Sequence, residues 1–154
     1  MSSLNPVFRC GDQLVEVLTR HGIARGKSAE KLVWDWLTRV GLPDAQRMYQ
    51  RYPHQLSGGQ QQRIMLAMAM ISQPSLLIAD EPTTALDVTV QQGILKLIRQ
   101  LSREEQIATL FISHDLGVVG ELADQVLVMQ NGQIVEAGAA NKLLKFPQHP
   151  YTQA

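Results

Sequence analysis

Three short apolar runs, spaced for crossover helices, constrain this chain more than any other feature. Leu76-Leu77-Ile78-Ala79 ends in two acids, Asp80 and Glu81; the second run is Ala108 to Ile112 and the third is Gln125 to Met129. An amphipathic stretch, roughly Val88 to Glu105, separates the first two, and a shorter helical stretch starts at Asp115. Strands alternating with helices make βαβ units, and parallel strands covered on both faces read as continuous apolar runs. The pattern therefore predicts an α/β fold with buried parallel strands at 76–79 and 108–112 and a third strand at 125–129. Asn131-Gly132 is a two-residue turn signal that folds the third strand back into Gln133 to Glu136.

Upstream of Pro74 the apolar period is helical. Leu14, Val15, Val17 and Leu18 predict a helix over residues 12–20 that Gly22 stops. Ser28 reads as the N-cap of a helix through Val40, with Leu32, Val33, Trp36, Leu37 and Val40 on one face and Gly41 and Pro43 beyond its end. A short helix after Pro43 leads to Tyr52-Pro53. Ser57 opens another, in which Ile64, Ala67, Met68 and Ile71 recur at helical spacing. The reading is a helical subdomain over 1–71, part of an α/β core over 72–137, and a short tail over 138–154.

The chain of 154 residues is 45% hydrophobic and 18% charged, enough apolar material for one globular core. Fourteen basic residues balance fourteen acidic ones, which gives no support for a nucleic-acid footprint or a polybasic membrane patch. Cys10 stands alone, so neither an intramolecular disulfide nor a multi-cysteine metal cluster can form, and a reducing compartment is favoured. The apolar runs fall far short of the ~20 residues that span a bilayer. The first residues have neither a basic nor an apolar region of signal-peptide type. Work at a membrane would require a partner.

Three sites could carry chemistry. Leu56-Ser57-Gly58-Gly59-Gln60-Gln61-Gln62-Arg63 places two glycines at the start of a helix, where free N–H groups and the positive end of the dipole suit a phosphate; an ordinary Ser N-cap on a glycine-rich turn reads the same way. Asp80 ends a strand at the sheet rim, where open α/β folds bind ligands, and could hold Mg²⁺ through water as in a Walker B strand. Glu81 could polarise an attacking water. A solvated acidic loop would look no different. His114, in Ile112-Ser113-His114-Asp115 at the next strand end, could touch a γ-phosphate or hold the catalytic geometry, although a lone histidine is more often a loop or cap residue. Asp87 by itself reads as a helix N-cap. Gly22-Ile23-Ala24-Arg25-Gly26-Lys27-Ser28 imitates a P-loop but has three residues between its glycines where a P-loop has four. The apolar spacing before it is helical, so it is expected to be an interhelical turn.

Order and spacing add what single motifs lack. Leu-Ser-Gly-Gly-Gln at 56–60, Asp80-Glu81, Ala85-Leu86-Asp87 and His114 resemble the signature, Walker B, D-loop and H-loop of the ABC ATPases. Ser2-Ser3-Leu4-Asn5-Pro6, Arg51-Tyr52-Pro53-His54, Thr83-Thr84-Ala85-Leu86-Asp87-Val88-Thr89-Val90-Gln91 and His149-Pro150-Tyr151-Thr152 are similar to the dipeptide/oligopeptide (peptide/nickel) permease branch of that family. The aromatic A-loop, Walker A and Q-loop glutamine of the family do not precede Met1. The resemblance thus implies a partial chain, with Met1 an internal methionine and residues 138–154 the start of a C-terminal extension.

The resemblance implies a P-loop NTPase-type fold, with a helical subdomain and part of a RecA-like parallel-sheet core. It implies ATP and Mg²⁺ as nucleotide and cofactor. Two such domains pair head to tail in the family, so Ser57, Gly58, Gly59 and Gln60 would meet nucleotide held by a second ATPase subunit. Asp80 with Mg²⁺, catalytic Glu81 and His114, and the D-loop Asp87 complete the set. Transmembrane permease subunits and, indirectly, a substrate-binding protein are the implied partners, nucleic acid is not one, and the place is the cytoplasmic face of the cell membrane. The expected role is ATP hydrolysis coupled to import of di- or oligopeptides, the segment alone being inactive. Three alternatives stay open: a non-transport ABC ATPase, a non-catalytic truncated module, and the same role with nickel, glutathione or antimicrobial peptides as cargo.

Overall fold

The computed structural model describes residues 4–83 and 86–153; Ser2 and Ser3 of the first branch motif and Thr84 and Ala85 of the D-loop motif lie outside them. The first half is helical: α1 (Cys10–Arg20), α2 (Gly26–Arg39), α3 (Ala45–Gln50), a 3-10 turn (Pro53–Gln55) and α4 (Gly58–Met70). Strand β1 (Leu76–Asp80), helix α5 (Val88–Glu104), strand β2 (Ala108–Ile112) and helix α6 (Leu116–Leu122) follow. The chain then forms a hairpin of β3 (Gln125–Gln130) and β4 (Gln133–Ala139), with short helices α7 (Ala140–Leu143) and α8 (Pro150–Gln153) after it.

Two compact units result: Met1–Leu77 with Pro82–Leu110, and Ile78–Glu81 with Phe111–Ala154. In the first, Leu14 and Leu18 of α1, Val33 and Leu37 of α2, Ile64 and Met70 of α4, and Ile94 and Leu101 of α5 are fully buried. Leu14 and Leu18, like Val33 and Leu37, stand four residues apart, Ile94 and Leu101 seven, and the buried Ala67 links Ile64 to Met70 in steps of three, so each set lines the inward side of its helix. Burying such a large apolar side chain is worth about 1.5–3 kcal/mol. Gln13 is the exception, a polar side chain in this core. Its Nε2 donates to the carbonyls of Asn5 and Phe8, both at 3.1 Å, and its Oε1 accepts from the Asn5 amide at 2.9 Å. The amide thereby replaces a missing turn of secondary structure and ties residues 5–9 to α1. Arg39 lies 4.4 Å from the Trp36 ring and pairs with Glu104 and Glu105, joining α2 to α5.

In the second unit Val126 of β3, with Ala140 and Leu143 of α7, forms a small core to which Val119, Ala123, Val128 and Leu144 add. The hairpin is antiparallel, with Gln130 opposite Gln133 across Asn131 and Gly132, both at positive φ (51° and 78°), as that turn signal predicts. A bulge between Val128 and Met129 shifts the register.

Several expectations need correction. Ser28 is not an N-cap: α2 begins at Gly26, its N-cap is Arg25, and the Ser28 hydroxyl donates to the Arg25 carbonyl at 2.7 Å. Helix α1 likewise starts at Cys10, earlier than the leucine period suggests, since Cys10 and Gly11 are buried small residues. Strands β1 and β2 are not buried on both faces: Leu77 and Ala79 of β1 are buried, but the neighbouring positions are open. Leu76, Ile78, Leu110 and Ile112 are all 45% exposed or more, because a parallel pair hides its apolar faces only where further layers cover them. Strands β1 and β2 form one two-stranded sheet, in which Ala108 N donates to Ser75 O and Glu81 N to Ile112 O, a parallel register. Strand β3 pairs with β4 in a separate sheet among the described residues. Of the P-loop imitation, residues 22–25 lie in the turn between α1 and α2, as expected, while Gly26, Lys27 and Ser28 open α2.

Candidate active site

Asp80 closes β1, and Glu81 turns the chain out of the strand at φ 44°. A non-glycine residue in that left-handed region costs of order 1–2 kcal/mol and persists where neighbours over-determine it. The Glu81 amide supplies one such constraint, donating to the Ile112 carbonyl at 3.0 Å. The same turn brings Glu81 Oε1 to 2.9 Å from His114 Nδ1, at the end of β2. A carboxylate can only accept, so Nδ1 carries the proton in this pair, and Nε2 of a neutral ring is left as an acceptor. The two side chains keep 45% and 79% of their surface, so the pair is open to a ligand.

The corner that presents His114 is ordered by its neighbours. Ser113 Oγ accepts from the Asp115 amide at 3.0 Å, and Asp115 Oδ1 caps α6 by accepting from Gly117 and Val118. Asp115 is thereby occupied structurally, which separates it from Asp80. Asp80 is exposed at the strand end, and no group of three or more His, Cys, Asp or Glu converges among the described residues. One carboxylate cannot cage a cation, but it fits Mg²⁺, a hard ion that keeps several waters and takes other oxygens from a phosphate.

The glycine turn lies in the other compact unit. Ser57 Oγ accepts from the Gln60 amide at 3.3 Å, while Gln60 Oε1 accepts from the Ser57 amide at 3.1 Å. This is a full capping box on α4, so both side chains are bonded within the turn. Neither Gly58 nor Gly59 has a positive φ. Their lack of a side chain is instead a matter of space: a Cβ on Gly58 would sit 3.3 Å from Leu86 Cδ2, and one on Gly59 2.7 Å from Val90 Cγ1. Asp87 caps α5, its Oδ1 accepting from the Val90 amide at 2.9 Å. The Ser57 and Asp87 caps are those the sequence predicts, whereas the Glu81–His114 pairing is not visible from their separate motifs.

Two supporting residues carry no clear sequence signal. Gln13 reads as one more polar position of an amphipathic helix. Arg63 Nη1 donates to the Val40 carbonyl at 2.6 Å and closes the end of α2. Gly41, at φ 75°, makes room for it, since a Cβ there would lie 2.7 Å from that nitrogen.

Known proteins resemble this chain in sequence and in fold. The glutathione import ATP-binding protein GsiA of Pectobacterium atrosepticum is 53% identical over 153 residues, 99% of this chain and 25% of that protein. The Escherichia coli protein of the same name is 51% identical over 154 residues, with 100% and 25% covered. This chain therefore spans about a quarter of the length of these relatives. Among solved structures, the ATP-binding cassette MJ0796, a dimer in a post-hydrolysis state bound to ADP and Pi, superposes with a TM-score of 0.75 at 26% identity, over 90% of this chain and 59% of that one. The model of the ABC transporter family matches residues 2–84, more than half of the sequence. The chain belongs to the ABC transporter family.

Proposed function

We propose that this chain is the downstream part of an ATP-hydrolysing subunit that powers an ABC importer. The observation that carries the reading is the Glu81–His114 pair, 2.9 Å apart at adjacent strand ends and directly after Asp80. Phosphoryl transfer from ATP to water needs little covalent help from a protein; it needs a positioned water and stabilised charge. Glu81 accepts a proton from the attacking water and orients it. His114 donates through Nδ1 to Glu81, which fixes the carboxylate. Asp80 would hold Mg²⁺ through water, and that ion neutralises charge on the β- and γ-phosphates when bound.

Residues 1–71 would serve as the helical subdomain, 72–137 as the RecA-like core and 138–154 as the start of an extension. The Ser57–Gln60 turn would meet ATP held by a second ATPase domain placed head to tail. Its other partners would be transmembrane permease subunits on the cytoplasmic side and, through them, a substrate-binding protein. No helix among the described residues is long and apolar enough to cross a membrane. For cargo we infer short peptides. The relatives' name points to glutathione, itself a tripeptide, so the peptide-branch motifs and the relatives favour one chemical class. Measuring uptake of labelled glutathione and of a dipeptide, with ATP hydrolysis, in cells carrying the full-length protein or its Glu81→Gln variant tests the reading. Loss of both uptake and hydrolysis in the variant is expected. Undiminished hydrolysis in the variant would refute Glu81 as the base that orients the attacking water.

A further inference from the structure

The glycine turn and the start of α5 touch in a way that neither motif explains. Asp87 holds the Val90 amide at 2.9 Å, and the Val90 side chain occupies the space where a Cβ of Gly59 would stand, 2.7 Å from Cγ1. Leu86 approaches Gly58 less closely, a Cβ there standing 3.3 Å from the flexible Cδ2. A Cβ as near as 2.7 Å to a branched, short side chain cannot be absorbed by rotation, because valine has a single stiff χ1 in a helix. The first turn of α4 is therefore seated on the first turn of α5, and both turns are capped independently, by Ser57 and by Asp87.

We propose that Val90 is a positioning residue for the Ser57–Gln60 turn, making the two capped helix starts one rigid block, so that a shift at Asp87 moves the phosphate-facing amides of Gly58 and Gly59 by the same amount. This rests on the reading of that turn as the face presented to ATP on a second subunit. On that reading the two glycines serve internal packing as well as approach by a phosphate. Val90 touches no nucleotide; it acts through Gly59.

The test is a size exchange in the full-length protein. Gly59→Ala, Val90→Ala, the double variant and the shape-conserving Val90→Thr are compared for ATP binding by the separate subunit, for ATP-dependent dimerisation and for thermal melting. Gly59→Ala should raise the ATP concentration needed for dimerisation at least about tenfold while leaving ATP binding by the separate subunit unchanged. Adding Val90→Ala should bring dimerisation back to within about threefold of the parent, the signature of a direct steric coupling. Val90→Thr should behave as the parent. If Gly59→Ala does not fold, Val90→Leu presses on the same contact with Gly59 intact and should weaken dimerisation likewise. A double variant as defective as Gly59→Ala, or Val90→Leu with normal dimerisation, would overturn the proposal, since the added methyl would then offend the nucleotide itself or nothing. A parent protein that shows no ATP-dependent dimer would instead refute the underlying reading of the turn.

Discussion

Replacing Glu81 by Gln isolates one charge with almost no change of shape. Glu81 is 45% exposed and makes its backbone bond to Ile112 through its amide, which the substitution leaves alone. Gln accepts the same left-handed backbone as Glu, so folding stability should move by no more than about 0.5 kcal/mol. The amide oxygen can still accept from His114 Nδ1, although the bond loses its charge assistance, about 1 kcal/mol. What disappears is the base. A positioned general base contributes roughly 10²–10⁴-fold in rate, or about 3–5.5 kcal/mol of barrier. Phosphate release by the full-length protein should fall by that factor while ATP binding is retained and the ATP-bound dimer accumulates. His114→Ala should be partly defective, and the double variant should lose no more than Glu81→Gln alone, because His114 works through a bond of 2.9 Å to the residue already disabled. Turnover of Glu81→Gln within about threefold of the parent would refute the assignment, and full additivity in the double variant would refute the coupling.

The remaining expectations concern the helical unit and the segment by itself. Gln13→Leu should cost about 2–4 kcal/mol, because the Asn5 and Phe8 groups it serves lose their partners, and amide hydrogen exchange should rise first over residues 5–9. Arg39→Ala should cost about 1 kcal/mol, from its stacking on Trp36 and its screened pairs with α5, and moderate salt should recover little of the stacking part. Burial pushes the Cys10 thiol from 9.0 up to about 11, so the folded state keeps a proton that the unfolded chain has lost. The stability this gives is present below pH 9 and lost between 9 and 11, and Cys10→Ala should flatten that part of a melting-versus-pH curve. The segment alone should release no phosphate from Mg-ATP and bind it weakly in calorimetry, since no glycine loop of P-loop length follows a strand among its described residues; steady phosphate release would sink that expectation.

Local chemistry made much of this molecule legible. The helix starts at Ser57, Asp87 and Asp115 follow from side chains that accept the first free amides, and the Asn131-Gly132 turn follows from two residues that tolerate positive φ. Such signals survive in a sequence because donor and acceptor are two or three residues apart. Ser28 failed the same test: its hydroxyl found the Arg25 carbonyl, and the burial of Ala29 and Val33 set the helix start instead. The order of the motifs likewise named the family without any coordinates. Tertiary structure alone decided how residues far apart in the chain meet. Glu81 and His114 become one group because two strand ends lie side by side, and Gly59 must be glycine because Val90, thirty-one positions on, fills its place. Gln13 turns inward for the sake of carbonyls whose positions only the folded chain defines. The exposed faces of β1 and β2 show the limit from the other side: apolar runs announce that strands prefer cover, but burial is a property of what packs against them.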